Sequence, residues 1–374
     1  MIDLNAIRKA FPVTESWVYM NHAAVAPISR SVQRAMQEQL RDVASNGIVN
    51  SDRWNTIYAR TRKAAARLIG ARASEIAFVK NTTEGILTVA NGLRWRAGDN
   101  VVISERGFPA NVYPWWNLKS KRVETRMVSE VDGRIPIEML FDAVDGRTRI
   151  VSISSVEFAS GYRHNLHAIG EFCQANGILF FVDAIQSLGA LRLDVKECEI
   201  DFLSADAHKW LLGPEGAGIF YCSKKAMKRI QLTQLGWASV INPGDYLDYD
   251  PTPLPDAQRF ESGTLNTVGI YGLKACLDLI HKVGIDVIES RVLMLTDRLA
   301  DGLKEKGYVV VSSRREGEKS GIVSFGRSDM DADMIFQILQ ERNIVSAARA
   351  GYCRLSPHFY NTEAEVTVVL EALP

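Results

Sequence analysis

The sequence predicts an α/β protein in which a large domain, built on a mostly parallel sheet, is followed by a smaller α/β domain. Three observations carry this reading. Seven short, β-rich apolar runs recur from about residue 75: EIAFVK, NVVIS, VETRMV, RIVSIS, ILFFV, DFLSA and GIFYC. The first six are separated by TTEGILTVANGL, PANVYPWWNLK, PIEMLFDAV, LHAIGEFCQANG and the turn DAIQSLG, so most connections are helical crossovers. Such alternation gives parallel strands covered on both faces. Finally, the chain has 374 residues, more than the ~250–300 at which a single core stops growing.

Before the sheet, residues 1–15 form an arm, and WVYMN is a short strand. Two helices follow, one closing on Gly47 and one running from Ser51 to Gly70, in keeping with the residues that helix ends prefer. GIFYC follows DFLSA through AHKWLLGPEGA, a loop or hairpin rather than a crossover. Residues 240–260 hold four prolines and little periodicity, which marks the end of a large domain spanning 16–260. The small domain, 261–374, opens with a long helical stretch through Ala300. It continues with GYVVVSS, GIVSFG, the helix DADMIFQILQER, IVSAA and CRLSP, and takes a contribution from the N-terminal segment. Its last helix opens with a capping box, Thr362 to Glu365.

Composition excludes several classes. Forty-four basic residues balance 44 acidic ones and no basic run is present, so nucleic acid is not the expected partner. No apolar stretch approaches the ~20 residues that span a bilayer. MIDLNAIRKAFPVTESW lacks a signal-peptide core. Five scattered cysteines, with no Cys-x-x-Cys, fit small core residues in a reducing cytoplasm rather than a disulfide framework. His164 and His167 lack companion ligands, so they read as surface or cap residues and no metal is expected. Tyr113-Pro114-Trp115-Trp116 reads as packing.

On a parallel sheet, ligands sit at the carboxyl ends of strands. Asp183 directly follows ILFFV, and Lys209, with His208 beside it, follows DFLSA. A lone Asp there is ordinarily a cap and a lone Lys ordinarily a solvated amine, so their order and spacing carry the signal. A lysine in an enclosed site can form a Schiff base with an aldehyde. A carboxylate facing a pyridine nitrogen makes that ring an electron sink. Asn81-Thr82-Thr83-Glu84 opens a helix, as a plain cap or as a phosphate site. Neither a P-loop nor a dinucleotide glycine fingerprint is present, which disfavours nucleotide chemistry and a nicotinamide oxidoreductase.

Taken together, VDAIQ, AHKWLLGPEGAGIFY, NTTEG, FESGTLNT and CRLSPHFYNTEAEV resemble the class V aminotransferase family from about Tyr19 to the C-terminus. Its members are pyridoxal-phosphate enzymes of fold type I and include cysteine desulfurases, selenocysteine lyases and isopenicillin-N-epimerase-like proteins. The resemblance implies that Lys209 carries pyridoxal 5′-phosphate and that Asp183 partners the pyridinium nitrogen. Gln186 matches the residue near the phenolic oxygen, and His208, Thr82 and Thr83 match phosphate contacts. Thr264 matches a residue reaching the partner subunit's phosphate site, which implies a homodimer. Arg354 matches the arginine gripping the substrate α-carboxylate, with Asn21 and His22 bordering the substrate. Arg349 and Arg259 are further candidates for a second acid.

Three departures stand out. IVSAARAGYCRLSP runs through without the desulfurases' cysteine loop, and Cys353, next to Arg354, should point elsewhere. The ring-stacking position falls at Phe108 or Pro109 rather than histidine. Asp206 stands where relatives carry a phosphate-binding serine, so either the loop is rearranged or Ser204 substitutes. The expected activity is α-proton abstraction from an amino acid, leading to β-elimination (C–S lyase-like) or transamination. Epimerization and desulfurase-like chemistry are the enzymatic alternatives. The non-enzymatic one is a fold-only binding module, which would be expected to lose Lys209 or Asp183; both are present.

Overall fold

The computed structural model describes residues 3–374. All seven apolar runs become strands of one sheet: β1 (Ile76–Val79), β2 (Asn100–Ser104), β3 (Glu124–Val128), β4 (Thr148–Ser154), β5 (Leu179–Asp183), β6 (Phe202–Asp206) and β7 (Gly218–Cys222). Their spatial order is β1-β7-β6-β5-β4-β2-β3. Pairing is parallel from β6 through β5, β4 and β2 to β3, whereas β7 runs antiparallel to both β1 and β6. The β6–β7 connection is thus a hairpin loop, and it carries Lys209 out of the carboxyl end of β6. Every residue of β2, β5, β6 and β7 is buried, as expected when both faces of a sheet are covered.

Two helices, Arg30–Asn46 and Ser51–Leu68, pack against the helix Thr267–Val283. Ser29 caps the first and Gly47, at φ 57°, ends it; the second starts after Asn50, which makes no side-chain cap bond. PANVYPWWNLK is not one helix but three short turns, 109–111, 113–116 and 117–121. Trp115 anchors them in the core while Tyr113 and Trp116 stay exposed. The long helical stretch after residue 266 breaks at Gly284 (φ 88°) into Thr267–Val283 and Ile285–Glu305.

Packing divides the chain differently from the expected boundary at 260/261. Ile270, Leu273, Leu277 and Ile280 of the Thr267–Val283 helix join the core of the large body. Ile285–Glu305 spans both units: Ile288 and Val292 lie in that core, and Leu295, Leu299 and Leu303 in a separate small-domain core. The small domain holds a four-stranded antiparallel sheet, in which Val323–Gly326 lies between Val309–Val310 and Tyr352–Leu355, and Ala347–Arg349 forms the far edge. Val18–Tyr19 pairs in parallel with Ile344–Val345, and Met20 enters the small-domain core. Within the expected arm, whose first two residues lie outside the described ones, Leu4–Arg8 is helical. Phe11 is buried and stacks on Tyr360 at 3.9 Å. No helix among the described residues is long and apolar enough to cross a membrane.

Candidate active site

The carboxyl ends of β5 and β6, the start of the helix Thr82–Gly92 and one face of the small-domain sheet meet in a crevice. Asp183 ends β5 and is buried. Its Oδ1 accepts from the backbone N–H of Ile185 at 2.9 Å and its Oδ2 from Asn111 Nδ2 at 2.7 Å. Burial pushes its pKa up, against the pull of those N–H donors and of the Lys209 charge. The Lys209 side chain emerges from the β6–β7 loop and is 8% exposed. Burial lowers its pKa to about 8; Asp183 and Asp206 oppose the shift, while the Arg354 and Arg349 charges add to it. An amine so tuned is partly neutral near physiological pH, the state a nucleophile or base requires. Its Nζ lies 5.4 Å from the centroid of the Phe108 ring. Phe108, rather than Pro109, presents a ring here; it is 45% exposed and meets Phe158 edge-on.

Beside the lysine, Asp206 is turned inward. Its Oδ1 accepts from the backbone N–H of Ala207 (2.7 Å) and its Oδ2 faces His208 Nδ1 at 2.9 Å. The carboxylate is thus engaged by an imidazole and a backbone N–H. The backbone N–H of Asp206 donates to Thr82 Oγ1 at 3.1 Å, tying the loop to the helix start. Asn81 caps that helix through the N–H of Glu84, so the N–H groups of Thr82 and Thr83, one and two residues into the helix, have no intrahelical acceptor. Ser204 does not substitute for the serine: it lies a turn further in, where a Cβ at Gly85 would collide with its unpartnered hydroxyl.

Arg354 is 2% exposed; its Nη1 donates to the Phe158 carbonyl at 2.7 Å, and its Nε has no partner. Burial and the nearby Arg349 charge lower its pKa to about 10. Cys353 faces away, packed in the small-domain core with its thiol pushed up to about 12. The strands Ala347–Arg349 and Tyr352–Leu355 pair Arg349 with Tyr352, so only Ala350 and Gly351 connect them.

Not every expected residue points into the crevice. His22 is fully buried, with Nδ1 at 2.8 Å from the Ser356 carbonyl and Nε2 at 2.6 Å from Tyr360 Oη. Both ring nitrogens are occupied, so it braces the N-terminal segment against the small domain. Asn21 donates to the Ser346 carbonyl at 3.2 Å and leaves Oδ1 unpartnered. Gln186 is held from both sides, donating to the Ala23 carbonyl and accepting from Trp210 Nε1. Thr264 is exposed on the outer surface, in a shallow pocket with Lys80, Glu84 and Gly216. His164 is a correction: it is buried and paired with Glu157 at 3.0 Å, whereas His167 is exposed. Sequence reasoning missed Asn111 and Phe158, although both follow the carboxyl ends of strands, where the ligand rule directs attention.

A cavity of about 730 Å³ lies elsewhere. Ser155, His164 and Ser187 line it, and Arg134, Arg163 and Glu289 stand among its charged groups.

The family model for aminotransferase class-V matches residues 18–369. The chain belongs to that family. Membership carries the family's cofactor, pyridoxal 5′-phosphate, and an enzymatic function. Among curated relatives, a probable cysteine desulfurase of Methanothermobacter thermautotrophicus is 31% identical, covering 98% of this chain and 96% of its own. An uncharacterized aminotransferase, YcbU, of Bacillus subtilis is 27% identical over the same shares. Among solved structures, the apo cysteine desulfurase of Thermococcus onnurineus NA1 superposes with TM-score 0.90 at 26% identity, covering 99% of this chain and 97% of that one. The cystine C–S lyase C-DES, in complex with cysteine persulfide, gives 0.90 at 23% identity, covering 96% and 98%, a likeness of fold. The donor set fits the cofactor: amide N–H groups and His208 for a phosphate, a buried carboxylate for a ring nitrogen, and a lysine amine of lowered pKa.

Proposed function

We propose that the protein is a pyridoxal-phosphate enzyme that removes the α-proton of an amino acid. The outcome is loss of a β-substituent or transfer of the amino group, without a persulfide on the protein. The observation that carries the reading is the Lys209 amine, buried at the strand edge beside Asp183 with its pKa at about 8. Lys209 would hold the cofactor's aldehyde carbon, Asp183 its ring nitrogen, and Thr82, Thr83 and His208 its phosphate, with Phe108 beside the ring. When bound, the cofactor supplies a pyridinium ring that withdraws electrons from the substrate's α-carbon.

The chain's own residues do the rest. Arg354 grips the α-carboxylate through the guanidinium face left free by Phe158, a geometry suited to a carboxylate. Lys209 Nζ, once released by the incoming amine, accepts the α-proton and carries it to its next position. The negative charge of the Asp183 carboxylate, held by the Ile185 N–H and Asn111 donors, would favour the protonated form of the ring nitrogen. Asp206 holds His208 at Nδ1 and so directs Nε2 outward. Among the described residues no thiol lines the crevice: Cys353 faces the small-domain core, Cys173, Cys222 and Cys276 are buried elsewhere, and Cys198 lies on the wall of the 730 Å³ cavity. Thr264, exposed and without a hydrogen-bond partner of its own, fits a role at the partner's phosphate site in a homodimer. The five unpaired cysteines fit a reducing, cytoplasmic setting.

The test is a visible absorption spectrum of the cofactor-loaded protein during titration with a panel of amino acids that includes L-cysteine. Pyruvate accumulating from L-cysteine under an unchanged band means elimination. A lost band that an added 2-oxo acid restores means transamination. Failure of any band to form after cofactor is added would sink the proposal.

A further inference from the structure

We infer that Arg349, together with Arg354, selects a substrate bearing a second carboxylate, so that the amino acid is dicarboxylic; this rests on the reading above that Arg354 takes the α-carboxylate.

Strand register puts the two arginines on one face. Arg354 lies opposite Ala347 on one side and Ser324 on the other. Arg349 is two residues from Ala347 on the same strand, and side chains two apart share a face. That face looks onto the large domain: Arg354 donates to the Phe158 carbonyl, and Ser324 Oγ hydrogen-bonds the neighbouring Ala159 carbonyl. The intervening residue, Cys353, pairs with Ala348 and Phe325 and turns to the small-domain core. Diagonal neighbours on such a hairpin stand about 7–8 Å apart at the backbone, a spacing that the two ends of a four- or five-carbon diacid can bridge between guanidinium tips.

The charges around them are left unbalanced. Among the described residues, no carboxylate lies within ion-pair distance of Arg349, Arg354 or Lys209, although many Arg and Lys side chains pair with carboxylates elsewhere. Arg349's one hydrogen bond goes to the Ala348 carbonyl beside it. Arg354 keeps a buried, unpartnered Nε. Both guanidiniums also depress the Lys209 amine, so both act on the atom where the reaction takes place. One α-carboxylate satisfies Arg354 and leaves Arg349, exposed at the mouth, free to take a second. The other sequence candidate, Arg259, is committed elsewhere: its Nε donates to the Leu254 carbonyl at 2.6 Å, and its charge acts on Cys222 in the sheet.

Two measurements test this on the cofactor-loaded protein. In the first, calorimetric titration compares glutarate with butyrate, which differ by one carboxylate and do not react. Glutarate should bind about 10- to 100-fold more tightly, the range of a charged hydrogen-bonded contact. R349Q should erase that difference, and R349K should restore part of it. In the second, kcat/KM for L-aspartate and L-glutamate is compared with that for L-asparagine and L-glutamine. R349Q should lower the acidic pair about 10-fold or more beyond any change, through the Lys209 amine, that it makes in the amide pair. Equal binding of glutarate and butyrate, or an equal loss on all four amino acids, would overturn the inference. Glutarate preference in a protein that forms no cofactor band would instead sink the proposed function and leave the anion pair standing.

Discussion

Two cavities meet at Asp183. Its side chain stands in the crevice with Lys209, while its backbone carbonyl accepts a hydrogen bond from Ser155, on the wall of the 730 Å³ cavity. In that cavity each arginine has an acid: Arg134 with Glu318, Arg163 with Glu289, and Arg192 with Glu197. In the crevice Asp183, Lys209, Arg349 and Arg354 form no ion pair of their own. The Arg134–Glu318 pair ties the large body to the small domain, whereas the buried Asp183, Lys209 and Arg354 and the exposed Arg349 are left for a ligand. Chemistry points to the crevice, because uncompensated charge in a buried place is costly and persists where function requires it.

The contrast predicts that substitutions in the crevice cost function and not stability, and that the 730 Å³ cavity behaves in reverse. The largest effect is expected at Lys209. K209M should lower turnover by roughly 10²- to 10⁴-fold, as loss of a general base does, with cofactor no longer fixed to the chain by borohydride. Its stability should move the other way. A lysine whose folded pKa is about 8, below its ordinary 10.5, contributes stability at high pH that is lost as pH falls toward 8. At pH 7 the ligand-free K209M protein should therefore melt no lower than wild type, and calorimetric scans from pH 7 to 10 read the difference directly.

Next comes Asp183. D183N should reduce kcat about 10²- to 10³-fold, in the range set by loss of a preorganised electrostatic partner. Burial raises this carboxyl's pKa, so its ionised form weakens the fold as pH rises, and Asn should raise the Tm of the ligand-free protein at neutral pH. A Tm that falls in step with activity would break the contrast.

In the 730 Å³ cavity, E289A removes the partner of Arg163 Nη1 (2.7 Å) and of the Arg192 backbone N–H (2.6 Å). It should cost about 1–3 kcal/mol of stability while leaving kcat/KM within about twofold, a margin small against the tenfold that 1.36 kcal/mol of barrier represents. Urea denaturation and steady-state kinetics on one preparation separate the two. The smallest effect belongs to Cys353: C353A should retain activity on every substrate, since its thiol faces the core. A loss above tenfold would reopen a persulfide route.

The sheet was legible because most of its strands are short, buried, β-rich runs separated by helical or turn segments; the edge strand ETRMV is the polar exception. Asp183 and Lys209 were legible because a parallel sheet delivers strand ends to one crevice. Three other features depend on tertiary partners. His22 reads as a polar residue near the substrate, yet Ser356 and Tyr360, more than 330 positions away, occupy its ring. His164 reads as a surface histidine until Glu157 is folded against it. The domain boundary follows the proline-rich segment in sequence but the interior of the Ile285–Glu305 helix in packing, since a continuous helix gives no local sign of changing cores.

The most direct test of the account is borohydride fixation of pyridoxal 5′-phosphate to the purified protein, followed by peptide mapping of the label. The account predicts a single labelled peptide containing Lys209, with labelling that rises as pH is brought up through about 8. Label on any other lysine, or none, would contradict it.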